Sequence, residues 1–159
     1  MIIHDNTARL MSTDPHPAQE SGREQPALRQ PIRILLADDN AAFLEFAREE
    51  LSFHPDFEVV GCVRTGKGAL AMTQELSPHI VFLDLFVVLL DLFVPGQNAM
   101  ETVVRLKSLP QPPKVIILSH RDSDEYRPGA FAAGADEFLT KPQFKLLARS
   151  IVRRLTNRP

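Results

Sequence analysis

One cysteine in 159 residues, Cys62, leaves this chain with no internal disulfide and no companions for a thiolate metal cluster. A reducing compartment is the expectation, with Cys62 as a small buried residue in a strand. Excess charge is also lacking. The 18 Lys and Arg nearly balance 20 Asp and Glu, and a net charge of −2 argues against nucleic acid or an anionic membrane as the main partner. The N-terminus M-I-I-H-D-N-T-A-R-L has no basic start followed by an apolar core, so no signal peptide is visible. The apolar run at residues 80–94 is too short to span a bilayer and carries two acids besides. A cytoplasmic location follows as an expectation.

Apolar residues are plentiful. A hydrophobic content of 44% suits one domain with a real core, and four of the 13 prolines fall before Ile32. Residues 1–30, polar and without sustained periodicity, read as a disordered extension, and residues 31–157 as the folded domain. The chain stops at Pro159, directly after the last helical pattern, so no output domain is expected.

Along the domain, strands and helices alternate. Ile32 to Ala37 predicts β1, and Asp39 or Asn40 can cap α1, with Phe43, Leu44, Ala47 and Leu51 on one face. Phe57 to Val63 predicts β2, and a helix α2 from Gly66 to Leu76 is stopped by Ser77-Pro78. One copy of a repeat within residues 80–94 forms β3. Asn98 to Leu109 predicts α3, with Met100, Val103, Val104 and Lys107 aligned and Pro110, Pro112 and Pro113 ending it. Val115 to Leu118 predicts β4, followed by a short α4 that contains Pro128-Gly129 and leads to Gly134. Glu137 to Thr140 predicts β5, and Phe144 to Leu155 predicts α5, with Phe144, Leu147, Ile151 and Leu155 inward. Continuous Val/Ile/Leu strands separated by helices imply an α/β fold: a doubly wound, five-stranded parallel sheet with helices on both faces. Ligands of such sheets bind beyond the carboxyl ends of the strands.

Polar residues collect at those ends: Asp38 and Asp39 after β1, Asp84 or Asp91 after β3, Ser119 after β4 and Lys141 after β5. Each alone has a plain explanation as a cap, a turn or a solvated charge. Together they define a crevice in which three carboxylates repel one another unless a cation joins them. Magnesium suits hard oxygen ligands and keeps room for water and phosphate oxygens. The ammonium and the hydroxyl would then serve a phosphoryl group, which needs a counter-charge and a hydrogen-bond donor.

Four motifs, I-R-I-L-L-A-D-D-N, D-L-F-V-P-G-Q-N-A, K-V-I-I-L-S and A-G-A-D-E-F-L-T-K-P, occur in this order over about residues 31–157, and the chain resembles the receiver domain of bacterial response regulators. The resemblance implies a flavodoxin-like fold of strand order 2-1-3-4-5. It implies transfer of a phosphoryl group from a histidine kinase or phosphotransfer protein to an aspartate, with Mg²⁺ as cofactor and signalling by docking on a downstream protein, or dimerisation through α4, β5 and α5. By position, Asp38 and Asp39 resemble the acidic Mg²⁺ site, Ser119 the switch hydroxyl, Lys141 the phosphoryl-contacting lysine and Phe138 the switch aromatic. Such a protein is a phosphoacceptor rather than an enzyme, with at most slow self-catalysed phosphorylation and dephosphorylation.

The repeat departs from the family. V-F-L-D-L-F-V is followed at once by V-L-L-D-L-F-V. Asp84 lies six residues after Pro78 and 45 after Asp39, whereas Asp91 lies four before Pro95, 28 before Ser119 and 50 before Lys141, and both counts fit a receiver. If Asp84 is the acceptor, the apolar residues up to Pro95 must loop out at the mouth of the site; if Asp91 is, the excess sits at the far end of β3. The second arrangement leaves the mouth intact, so Asp91 is the preferred acceptor and Asp84 the alternative. The residue two further on, Phe93 or Phe86, would lend a backbone carbonyl to the metal.

Other readings compete. A duplication that breaks strand register would leave a degenerate receiver, a protein-interaction module without phosphorylation. A phosphatase with an aspartyl nucleophile would need an acid two residues later, where Phe86 and Phe93 stand. Gly61-Cys-Val-Arg-Thr-Gly66-Lys67-Gly68 nearly spells a phosphate-binding loop, but Gly68 supplies no hydroxyl for a metal. The basic residues Lys145, Arg149, Arg153 and Arg154 of α5 read as a solvated face.

Overall fold

A computed structural model describes residues 30–86, 97–120 and 124–158. The expected extension, apart from Gln30, therefore lies outside the described residues, as do Asp91 and Phe93. Five strands, β1 (Ile32–Ala37), β2 (Phe57–Val63), β3 (Ile80–Asp84), β4 (Lys114–Ser119) and β5 (Glu137–Thr140), form one parallel sheet of order β2-β1-β3-β4-β5. Helices α1 (Ala41–Ser52), α2 (Gly66–Leu76), α3 (Gln97–Lys107), α4 (Arg127–Ala132) and α5 (Phe144–Leu155) alternate with them. The parallel sheet is the one expected from the alternation, and its order is the flavodoxin-like one that the resemblance implies.

The inner strands are largely apolar because both faces are covered. Ile32, Ile34, Leu36, Phe82, Ile116 and Leu118 pack with α1 and α5, while Leu35, Val81, Leu83, Val115 and Ile117 face α2 and α3. Local chemistry sets the helix ends. Asn40 caps α1 by accepting from the Phe43 N–H at 3.1 Å, and Thr65 caps α2 by accepting from the Gly68 N–H at 3.0 Å. The latter bond turns the P-loop-like segment into a helix cap. Ser77, at φ 47°, ends α2 in the left-handed conformation just before Pro78. Pro128 sits in the first turn of α4, where its missing N–H costs little, and the helix is only six residues long.

Three side-chain expectations need correction. Cys62 is exposed, because β2 lies at the edge of the sheet and only part of its surface is covered. In α3 the inward positions are Ala99, Thr102, Val103 and Leu106, and Val104 is half exposed. In α5, Ala148 and Val152 turn inward beside Phe144 and Ile151, and Leu147 is 40% exposed. Helical spacing permits neighbouring stripes, and the position of the helix on the sheet decides which is buried. The basic face of α5 is largely paired: Lys145 with Glu50, Arg153 with Asp56 and Arg154 with Glu137.

At the amino ends of β4 and β5, Asp136 ties three elements together. Its carboxylate takes Lys107 Nζ at 2.8 Å, Lys114 Nζ at 3.1 Å and the Val115 N–H at 2.8 Å. Burial alone would raise its pKa, but Lys107, the Val115 N–H and Lys114 outweigh burial and hold it below the usual value of 3.8. A depressed carboxylate stabilises the fold above its unfolded pKa and loses that contribution as pH falls through its native one. Asp136→Asn is expected to cost about 1–3 kcal/mol at pH 7. In urea titrations the gap from wild type should close towards pH 3; an equal gap at both pH values would remove the charge from the explanation.

Candidate phosphoryl and metal site

The strand register aligns the carboxyl ends of the sheet. Ala37 pairs with Leu83 and with Val63, Leu83 with Ile117, and Ile117 with Phe138. One residue further along each strand come Asp38, Asp84 and Arg64; Ser119 pairs with Thr140, and Lys141 follows. Backbone bonds hold this rim: the Asp38 N–H donates to the Val63 carbonyl and the Leu85 N–H to the Leu118 carbonyl.

Asp38, Asp84, Ser119 and Lys141 are all buried, with Asp38 and Asp84 only 1% and 2% exposed, while Asp39 is open to solvent. Lys141 Nζ lies 2.6 Å from Asp38 Oδ2 and 2.9 Å from Asp84 Oδ1. Both contacts are close, buried ion pairs that share one ammonium between two carboxylates. The second oxygen of each acid is fixed by backbone: Asp38 Oδ1 accepts from the Asn40 N–H and Asp84 Oδ2 from the Phe86 N–H, both at 2.9 Å.

Asp38, Asp39 and Asp84 each offer an oxygen within 4.8 Å of the other two. Burial first, and the Asp38 charge second, push the Asp84 pKa up despite Lys141 and the Phe86 N–H. Burial opposes the Lys141 charge, yet the two carboxylates outweigh it and raise its pKa above the usual 10.5. Among the described residues, the Lys141 ammonium and the Arg64 guanidinium on the Asp39 loop stand against three carboxylates, a net anionic balance. The donor set, three hard carboxylate oxygens in a cluster that a dication would neutralise, fits Mg²⁺.

Of the residues expected at the site, Asp38, Asp39, Asp84 and Lys141 meet in one cluster, and Ser119 stands at the same end of the sheet. Phe138 is buried in β5 beneath the Arg127 guanidinium, 4.7 Å from its ring centroid. The preferred acceptor Asp91, with Phe93, falls outside the described residues; the first copy, Asp84, is the one that ends β3. Phe86, two residues on, packs edge-on against Tyr126 with ring centroids 6.0 Å apart.

Two neighbours were not singled out from the sequence. Arg64 donates to the Asp39 carbonyl from Nε at 3.1 Å and Nη2 at 2.8 Å, tying the acidic loop to the end of β2. Its position directly after β2, level with Asp38, was the available signal. Phe43 places its ring 4.6 Å from Lys141 Nζ.

Comparison with known proteins agrees with this geometry. A protein-glutamate methylesterase/protein-glutamine glutaminase of Myxococcus xanthus is 36% identical over 113 residues, covering 70% of this chain and 30% of that protein. The nitrate/nitrite response regulator NarL of Escherichia coli is 29% identical over 113 residues, 71% of this chain and 49% of that protein. The chain thus spans half or less of the length of these curated relatives. The receiver domain of a NarL response regulator from Mycobacterium tuberculosis superposes with a TM-score of 0.69 at 23% identity, over 81% of this chain and 99% of that one, a likeness of fold. The family model described as response regulator receiver domain matches residues 34–151. With acids, lysine and sheet order all in agreement with that match, this chain belongs to the response regulator receiver domains.

Proposed function

We propose that the chain is a phosphoacceptor of a two-component system or phosphorelay, that Asp84 receives the phosphoryl group, and that Asp38, Asp39 and Asp84 hold Mg²⁺. The observation that carries this reading is the pairing of Lys141 with Asp38 and Asp84 inside a cluster of three carboxylates. The choice of Asp84 departs from the sequence preference for Asp91; its support is the position of Asp84 at the end of β3 beside Lys141.

When bound, Mg²⁺ would supply a counter-charge to the phosphoryl oxygens and to the acids. The protein supplies the rest. An Asp84 carboxylate oxygen attacks phosphorus, forming an O–P bond as the P–N bond of a donor phosphohistidine breaks, and the bonding pair stays on the leaving imidazole nitrogen, which takes its proton from water. The Phe86 N–H orients that carboxylate. Lys141, already paired with it, is placed to follow the charge onto the phosphoryl group. Ser119, at the adjoining strand end, has the hydroxyl to sense its arrival, and Phe138 is the aromatic of the same face. Partners would be a histidine kinase or phosphotransfer protein upstream and a protein docked downstream. Exposed Phe131 on α4 supports a contact on the α4, β5 and α5 face. No described helix is long and apolar enough to cross a membrane.

The test is an NMR titration with Mg²⁺ and then beryllofluoride. Amides of residues 38–40, 84–86, 119 and 141 should shift with Mg²⁺ and again with beryllofluoride. Silence of all of them would favour a degenerate receiver that only binds proteins.

A further inference from the structure

Phe43 was expected to serve the apolar face of α1, and part of it does. Its ring meets Phe144 edge-on, with centroids 5.5 Å apart, and Phe46 at 6.0 Å. But the ring also lies against the buried ammonium of the candidate site, with Lys141 Nζ 4.6 Å from its centroid. At a buried ammonium, an aromatic face at this distance is an attractive electrostatic contact. Aliphatic side chains of similar volume cannot supply it.

The placement follows from the acidic loop itself. Asp38 Oδ1 accepts from the Asn40 N–H, Asn40 Oδ1 accepts from the Phe43 N–H, and Lys141 Nζ returns to Asp38 Oδ2. Phe43 thereby closes a ring of contacts that starts and ends at Asp38. On its far side, Phe144 stands three residues after Lys141 and packs on Phe82, two residues before Asp84, with centroids 5.2 Å apart. A single aromatic chain thus spans the elements that carry the acid, the lysine and the acceptor.

From this we infer that Phe43 is a positioning residue for phosphoryl transfer: its ring holds the Lys141 ammonium at the site while the lysine exchanges carboxylate for phosphoryl oxygen. The inference rests on the phosphoacceptor reading of Asp84.

Two substitutions separate the ring from its volume. Phe43→Leu keeps apolar packing and removes the aromatic face; Phe43→Tyr keeps the face. With Mg²⁺ and acetyl phosphate as donor, Phe43→Leu is expected to slow labelling on the order of tenfold. Phe43→Tyr should stay within about twofold of wild type, and Mg²⁺ affinity should be unchanged in both, because Lys141 contacts the phosphoryl group and not the metal. In a Lys141→Ala background, Phe43→Leu should add no further loss. Wild-type labelling in Phe43→Leu, failure of Phe43→Tyr to rescue, or a parallel loss of Mg²⁺ affinity would overturn the assignment and leave Phe43 a packing residue. A second readout is independent of phosphorylation. The Lys141 ε-methylene protons should be ring-current shifted upfield in wild type and Phe43→Tyr, and return towards free lysine in Phe43→Leu. If wild type is not labelled, or Asp84→Ala still is, the phosphoacceptor reading fails, and these proton shifts then decide the clamp alone; their absence in wild type sinks it.

Discussion

Asp84→Asn is expected to reduce Mg²⁺-dependent labelling by a small phosphodonor to background, while Asp91→Asn keeps a rate within about threefold of wild type. The asymmetry has a geometric cause. A nucleophile here must touch the lysine and share the metal with Asp38, and Asp84 already lies 2.9 Å from Lys141 Nζ at the mouth of the sheet. Asp91 is seven positions further along the sequence, and in a continuous strand seven steps would span roughly 23 Å and an odd offset would turn the side chain to the opposite face. Both cannot occupy one pocket. The same variant makes a prediction for stability. A carboxyl whose native pKa is raised gives stability that is present below about 3.8 and lost as pH rises through the native value. Asparagine keeps the acceptor for the Phe86 N–H and carries no charge, and Lys141 retains Asp38. Asp84→Asn should therefore melt higher than wild type at pH 7 in chelator, and lose that advantage in the presence of Mg²⁺, which only the wild-type carboxylates bind well. Labelling that persists in Asp84→Asn and disappears in Asp91→Asn would restore the sequence preference and reassign the pocket.

How far the fold can be read from the residues depends on where burial is complete. Ile32 to Ala37, apolar apart from Arg33, and the β4 run Val115 to Leu118 are read as strands because helices cover both sides, and their bounds follow within a residue of those observed. Asn40 and Thr65 mark helix starts by their chemistry, and Ser77-Pro78 marks a stop. Where burial is partial, periodicity is ambiguous: Leu147 and Val104 belong to stripes as apolar as those that face inward, and Cys62 is exposed only because β2 happens to be an edge. The acids of the site are legible for the reason they function, since charge at the end of an apolar strand calls for a partner. The choice between Asp84 and Asp91 is not legible, because V-F-L-D and V-L-L-D are equivalent strand endings. Among the described residues, it is Ile80 to Asp84 that pair with β4, which is the support for the proposed acceptor. Phe43 carries no local sign of its second role. The contact exists because α1 and the turn after β5 meet over the site, a tertiary fact.

Lys141→Met should produce the largest loss of stability available in this site. Lys141 is 8% exposed and sits between two acids that are themselves buried, so removing its ammonium while keeping its length leaves Asp38 and Asp84 facing each other without a counter-charge. Breaking a buried ion pair from one side costs about 3–5 kcal/mol, mostly the penalty of the charge left behind. In chelator at pH 7 the variant is expected to unfold at markedly lower denaturant than wild type. Two conditions should recover it. Mg²⁺ supplies the missing positive charge, and acid protonates one of the two carboxylates, so the deficit should shrink as pH falls towards 4. Wild type behaves in the opposite sense at the alkaline end, where the stabilisation from a Lys141 with raised pKa is present below 10.5 and lost as pH climbs through its native value. Labelling of the variant, even when refolded by Mg²⁺, should remain down on the order of 100-fold, because the metal replaces the lysine as a counter-ion to the acids but not as a donor to the phosphoryl oxygen. A variant as stable as wild type in chelator would mean that the two carboxylates do not depend on Lys141, and the electrostatic account of the site would fall with it.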